Sequence, residues 1–370
     1  MSQMQVRAVV VPEVDRLEVQ TIALAPPGQS EVLIENHAAG VCHSDLHTLK
    51  GELRVRPPLV LGHEGSGVVV ETGKAVTTVQ AGDKVIYNWL PACNSCGTCL
   101  SGMPNLCEEF PSTILQGLLP NKVSRILDQD GEPLKHHLGV ATMAEYMVTH
   151  ERNIIPYEID IPMATSAIVG CAVVTGMGAV WNTAQARPGQ GLAVVGCGGV
   201  GLSALMGAKA AGCSPVIGVD RDQAKLRFAE ALGADLTLDV SETDFADGLK
   251  ELYPAGVDCI VDTVGAGTMA DSLEAVKPGG KVVVVGMHAF KDKVPISPAQ
   301  LVAMNRQLLG SFVGSSKPHF DIPRILNMYS QGTLDLDALI TKTYGIDEVQ
   351  SAFDDMVDGR VVRGVLEFTR

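Results

Sequence analysis

Short runs of valine, isoleucine and leucine, each bounded by Gly, Pro or Asp, recur through the first 150 residues: VRAVVV, EVLIENHAAG, SGVVVETG and DKVIYNW. Runs of that length and spacing predict the strands of a largely antiparallel β domain. From about residue 190 the pattern changes. GLAVVG, SPVIGVD, ADLTLD, GVDCIVDTVG and GKVVVVGM are apolar almost throughout, as strands covered on both faces must be. Stretches of helical length rich in Ala and Leu separate them, such as LSALMGAKAAG and RDQAKLRFAEALGA. This alternation predicts a doubly wound parallel sheet with helices on both faces. Beyond about residue 315 come two further helical stretches, DIPRILNMYSQG and DEVQSAFDDMVDG, and a strand-like VVRGVLEFTR. The expected class is α/β: a β-rich domain over 1–172 and 313–370, interrupted by a doubly wound domain over 173–312.

Composition narrows the function more than the fold. Of the 370 residues, 46% are apolar and 19% charged, which supports large cores and excludes a disordered or collagen-like chain. A net charge of −14 argues against general affinity for nucleic acid or anionic membrane. The longest apolar stretches, around 168–181 and 191–213, are broken by Gly and polar residues and predict no membrane span. MSQMQVRAVVVPEVD lacks the pattern of a secretory signal, so a soluble cytoplasmic protein is expected.

Nine cysteines in such a chain are a better metal inventory than a disulfide framework. Cys93, Cys96, Cys99 and Cys107 lie within one short loop, part of a lobe over about 89–110. Four thiolates match tetrahedral zinc, and an all-sulfur site leaves no position open for chemistry, so a structural zinc is expected. An iron–sulfur cluster is the chemical competitor. Cys197, Cys213 and Cys259 sit in apolar surroundings and read as small buried hydrophobes.

Gly196, Gly198, Gly199, Val200 and Gly201 form a glycine-rich turn between the strand-like LAVV and a helical stretch. That context makes it a dinucleotide fingerprint: glycines let the backbone approach a pyrophosphate, and the helix start offers unpaired N–H groups. Asp220 ends the next strand, where a carboxylate accepts from both ribose hydroxyls and repels a 2′-phosphate. NAD is therefore expected over NADP, a preference tempered by the basic Arg221 beside it.

Three Gly-bounded segments carry the remaining chemistry: GVCHSDLH with Cys42, His43, Ser44, Asp45 and His47; GHEG with His63 and Glu64; and GCAVVTG with Cys171 and Thr175. Together they offer Cys, His and Cys, a three-ligand set that leaves a fourth zinc position for substrate. These motifs, with the four-cysteine loop and GCGGVG, resemble the zinc-dependent medium-chain alcohol dehydrogenases in their order and spacing over nearly the whole chain. The resemblance implies a GroES-like catalytic domain and a Rossmann domain, with the active site in the cleft between them. It implies that Cys42, His63 and Cys171 bind catalytic zinc, that Glu64 stands behind the metal, and that Asp45 holds the His63 imidazole. By the same match Ser44 accepts the alcohol proton and His47 releases it to solvent. Thr175, Lys225, Val285 and Arg363 match cofactor contacts, Arg363 on the pyrophosphate. The implied cofactors are NAD and two zinc ions per chain.

Departures from the family pattern matter as well. His43 stands where some members place a pyrophosphate arginine, which predicts weaker, pH-dependent NADH retention. Trp89, Leu53 and Leu138 match pocket-lining positions, and His137, at a place often aromatic, is expected to offer that pocket a hydrogen bond. Apolar walls over a zinc floor suit primary aliphatic, allylic or benzylic alcohols. The long segment between Cys107 and Gly139 resembles the insertion of the animal and glutathione-dependent classes, which predicts a homodimer, with a tetramer as the alternative. Arg54 and Arg56 leave open a dehydrogenase for formaldehyde adducts of a thiol. A secondary-alcohol or polyol dehydrogenase is a further rival, disfavoured by Cys171. Zinc-free quinone reductases would lack the three ligands, and a regulatory NAD-binding protein should show damage at Ser44, His47 or Glu64.

Overall fold

The computed structural model describes residues 3–287 and 292–368. Its contacts divide the chain into two units, one running to Cys171 and including Lys317–Ser330 and Leu336 onward, the other Ala172–Ser316 with Gln331–Asp335.

In the first unit the spine is the strand Glu31–Val41, whose long alternation of buried and half-buried positions lets it take partners along its length. It pairs antiparallel with Ser66–Thr72, with Tyr146–His150 and, at its far end, with Arg363–Glu367. The strand-like end of the chain therefore closes on the sheet begun near its start, and Ile340–Tyr344 adds a parallel edge. A small closed barrel joins Met4–Val11, Glu18–Leu24, Ile126–Leu127, Pro133–His136 and Leu59–Val60 around Val6, Ile22, Leu24, Ile126 and Met147. These sheets position the chemistry at their ends. Cys42 directly follows Glu31–Val41, His63 lies three residues past Leu59–Val60, and Trp89 two past Lys84–Tyr87.

The second unit carries six parallel strands in the order Leu236–Asp239, Val216–Asp220, Leu192–Val195, Cys259–Asp262, Lys281–Val284, Gln307–Gly310. Numbered along the chain this is 3-2-1-4-5-6, the doubly wound dinucleotide order, with the glycine turn at the switch point. Five of these strands coincide with the apolar runs. The sixth, Gln307–Gly310, carries exposed and half-buried positions and so shows no apolar run. Among the described residues no single helix is long and apolar enough to cross a membrane.

His136, fully buried at the end of Pro133–His136, accepts the Arg125 backbone N–H through Nε2 at 3.2 Å. Burial disfavours its charged form and pushes its pKa from 6.5 down to about 4. Because the unfolded ring takes up a proton that the folded ring refuses, this contribution is intact above pH 6.5 and lost as pH falls towards 4. At about 1.4 kcal/mol per pH unit it amounts to about 3 kcal/mol. His136→Gln, which keeps an acceptor but does not titrate, is expected to flatten the acid side of the stability profile by one proton. Urea midpoints between pH 7 and 4.5 check this; equal slopes in the two proteins would contradict it.

Candidate active site and cofactor site

Cys42 caps the helix His43–Leu49, and Asp45 locks the turn. Oδ2 of Asp45 accepts the Cys42 N–H at 3.1 Å, and Oδ1 accepts from Nδ1 of His63 at 3.0 Å. One buried carboxylate thus fixes the backbone of Cys42 and the ring of His63 together. With Nδ1 so used, Nε2 of His63 is left buried and without a hydrogen-bond partner. The donor atoms of His63, Cys42, Cys171 and Glu64 all lie within 4.8 Å of one another. The interaction between the neighbouring sulfurs of Cys42 and Cys171 draws the Cys42 thiol well below its ordinary value and pushes that of Cys171 well above. Two buried sulfurs close to an orphaned imidazole nitrogen fit a single divalent cation, and the N,S donor set suits zinc. Glu64, also fully buried, pairs with the buried Arg363, whose guanidinium offsets its charge.

Ser44 and His47 stand three apart on the helix His43–Leu49 and so share a face. The Ser44 hydroxyl is 3.9 Å from the Cys42 sulfur, and His47 is half-exposed, its Nδ1 2.5 Å from the carboxylate of Glu52. His43 is exposed. Trp89 and Leu138 are buried and Leu53 half-buried. The Trp89 ring meets His63 edge-on with centroids 6.0 Å apart.

The sulfurs of Cys93, Cys96, Cys99 and Cys107 form a second cluster within 4.8 Å, Cys93 and Cys99 being 3.9 Å apart. Zinc–sulfur bonds of about 2.3 Å place tetrahedral sulfurs about 3.8 Å apart, so this spacing suits one ion. A multi-iron cluster needs its thiolates further apart. Backbone N–H groups already point at the sulfurs: Cys96 to Cys93, Cys99 to Cys96 and Cys93 to Cys107, at 3.3–3.4 Å. Hydrogen bonds from Ser95 lead in drawing the Cys93 thiol down to about 6, towards the thiolate a metal needs. Cys197, Cys213 and Cys259 are buried, and burial pushes the thiols of Cys197 and Cys259 up to about 12.

In the second unit the glycine turn is built by close approach. A Cβ on Gly201 would stand 1.7 Å from the Gly196 carbonyl oxygen, whereas one on Gly198 would meet nothing within 4 Å. Gly201 admits the turn, and the space over Gly198 lies at the start of the helix Gly199–Ala210, where a pyrophosphate fits. Asp220 is half-buried and braces this turn, its Oδ2 accepting the Cys197 N–H at 2.7 Å and Oδ1 the Asp222 N–H at 3.0 Å. Arg221 is exposed, Lys225 and Val285 half-buried and Thr175 buried. Asp220→Ala is expected to relax the preference for NAD over NADP about tenfold, through loss of the ribose acceptor and of like-charge repulsion. The ratio of kcat/KM for the two cofactors checks this; an unchanged ratio would show that the ribose is read elsewhere.

Residues 28–159 match the alcohol dehydrogenase GroES-like domain, and residues 199–331 match the zinc-binding dehydrogenase domain. The chain is 36% identical to alcohol dehydrogenase class-3 of Cereibacter sphaeroides, over 99% of this chain and 100% of that one. It belongs to the zinc-dependent medium-chain alcohol dehydrogenases. The S-(hydroxymethyl)glutathione dehydrogenase of Paracoccus denitrificans is 35% identical over 98% of this chain and 100% of its own. The crystal structure of benzyl alcohol dehydrogenase from Acinetobacter calcoaceticus superposes with a TM-score of 0.93 at 29% identity, covering 99% and 100% of the two chains. Zinc and a nicotinamide cofactor belong to the chemistry of this dehydrogenase, and the clusters and glycine cradle are where its residues fit them.

In this alcohol dehydrogenase one expectation needs correction. His137 does not offer a free hydrogen bond to a substrate pocket: it is fully buried, with Nε2 2.8 Å from the Thr48 hydroxyl and Nδ1 2.9 Å from Asp45. The sequence also gave no sign of Glu52 beside His47, or of Arg363 against Glu64, 299 residues away. Glu52 follows His47 by five residues and has a local signal in hindsight; the Arg363 pairing has none.

Proposed function

We propose that Cys42, His63 and Cys171 hold the catalytic zinc of a reversible, NAD-linked oxidation of primary alcohols to aldehydes, and that Cys93, Cys96, Cys99 and Cys107 hold a structural zinc. The observation that carries this reading is the unpartnered Nε2 of His63, within 4.8 Å of the buried sulfurs of Cys42 and Cys171. A bound zinc supplies the Lewis acidity that lowers an alcohol's pKa, and bound NAD accepts the hydride. Asp45 keeps Nδ1 of His63 protonated and so directs Nε2 to the metal. Ser44 takes the alcohol proton, and the half-exposed His47 passes it to solvent with Glu52 holding its other nitrogen. Trp89 and Leu138 exclude water with apolar surface, which suits primary aliphatic, allylic or benzylic alcohols. Gly196, Gly198, Gly199, Val200 and Gly201 cradle the NAD pyrophosphate in a cofactor domain over 173–312. The long segment after Cys107 supports a homodimer.

A second reading rests on Arg54 and Arg56, both exposed, and on the name of the Paracoccus relative: oxidation of a formaldehyde–thiol adduct. Arg56 donates to the Gly51 carbonyl, which leaves Arg54 as its freer cation. NADH formation from a panel of primary alcohols, ethanol to benzylic and terpenoid, separates the two. Turnover of free benzylic alcohols supports the first reading; turnover only of formaldehyde with a low-molecular-weight thiol supports the second.

A further inference from the structure

Oδ1 of Asp45 meets two imidazoles. Nδ1 of His63 donates to it at 3.0 Å, and Nδ1 of His137 lies 2.9 Å from it, off the line of an ideal hydrogen bond. All three side chains are fully buried, and the two rings stand edge to face with centroids 5.4 Å apart. His137 is held from its other side by Thr48, itself fully buried on the helix that carries Asp45. The turn that presents it, His137–Gly139, has Leu138 at φ +46°, a left-handed conformation that a leucine keeps only where its surroundings impose it. Such a turn is a costly way to place a mere filler.

We propose that His137 is a positioning residue for the metal centre: clamped by Thr48, it pins the Asp45 oxygen that orients His63, and so sets how firmly His63 holds zinc. The inference rests on the ligand assignment proposed above. Its chemistry follows from the neutral tautomer: Nε2 accepts from the Thr48 hydroxyl, which leaves the Nδ1 proton for Asp45. Without His137, Oδ1 keeps one imidazole partner and Oδ2 keeps the Cys42 N–H, so the carboxylate loses one of the three contacts that fix it and orients His63 less firmly. Outer partners of a metal-bound histidine typically account for about 10–100-fold in metal affinity.

The test compares the wild type with His137→Phe, which keeps ring volume without a donor, and His137→Asn, which returns a donor near the Nδ1 position. Zinc loss from the holoenzyme to a chelator and the absorption spectrum of the cobalt-substituted enzyme are read alongside the thermal midpoint. His137→Phe is expected to release catalytic zinc about tenfold faster and to shift the cobalt ligand-field bands, with His137→Asn restoring most of both. Unchanged metal release and spectrum in His137→Phe would overturn the inference. So would equal changes in the two variants, which would mark a packing effect. A wild-type enzyme whose cobalt form lacks sulfur-to-metal charge transfer beyond that of the four-cysteine site would overturn the ligand assignment and this inference with it.

Discussion

Cys171→Ser is expected to lower alcohol turnover about a thousandfold or more, since Lewis-acid stabilisation by zinc supplies several kcal/mol at the reacting oxygen. Serine is nearly the same size but is not anionic near neutral pH, so the exchange removes a ligand with little change in volume. Cys171 is buried just before Ala172–Gly178, its sulfur within 4.8 Å of the donor atoms of Cys42 and His63. Its loss leaves Cys42 and His63 as one thiolate and one imidazole, too few to keep zinc in place. The glycine cradle and Asp220 are untouched, so NAD binding should persist. Steady-state NADH formation with a parallel NAD titration by fluorescence checks both halves. Near-normal turnover would refute the ligand role of Cys171.

How far the sequence could be read follows from the range of each signal. The glycine turn and Asp220 sit within 25 residues of one another, and their chemistry is local to a strand, a turn and a helix. The four-cysteine loop is equally local. The active-site cluster is drawn from residues 42, 63 and 171, and only the resemblance of three separate motifs brought them together in advance. Partnerships made by tertiary structure alone left no trace. Arg363 carries the pattern of a cofactor contact, yet its guanidinium meets Glu64 because Arg363–Glu367 pairs with Glu31–Val41. His137 reads as a pocket residue because nothing near it in sequence shows that Thr48 and Asp45 will surround it. Gln307–Gly310 escaped because a strand lacking an apolar run has no periodic signal to read.

Cys99→Ser should act on stability rather than chemistry. The segment around it contains a helix of only four residues, Gly97–Leu100, with none of them buried, and it leaves Leu100, Met103 and Leu106 exposed. Such a lobe has little core of its own, so its order depends on the ion. Structural zinc supplies on the order of 10 kcal/mol in small zinc-folded peptides, and losing one thiolate of four removes a large part of that. The expected result is a lower yield of folded protein, with early proteolytic cleavage between residues 93 and 107. Limited proteolysis with mass spectrometry checks it. A stable, protease-resistant but inactive variant would argue that this cluster takes part in the reaction.

The most direct test of the central claim is the zinc content per chain of the purified wild type and of Cys171→Ser, measured beside NADH formation from a primary alcohol. Two ions in the wild type and one in the variant, with turnover lost along with the second ion, is the predicted result. Equal zinc in both proteins, or alcohol oxidation that persists after a chelator has emptied the site of Cys42, His63 and Cys171, would contradict it.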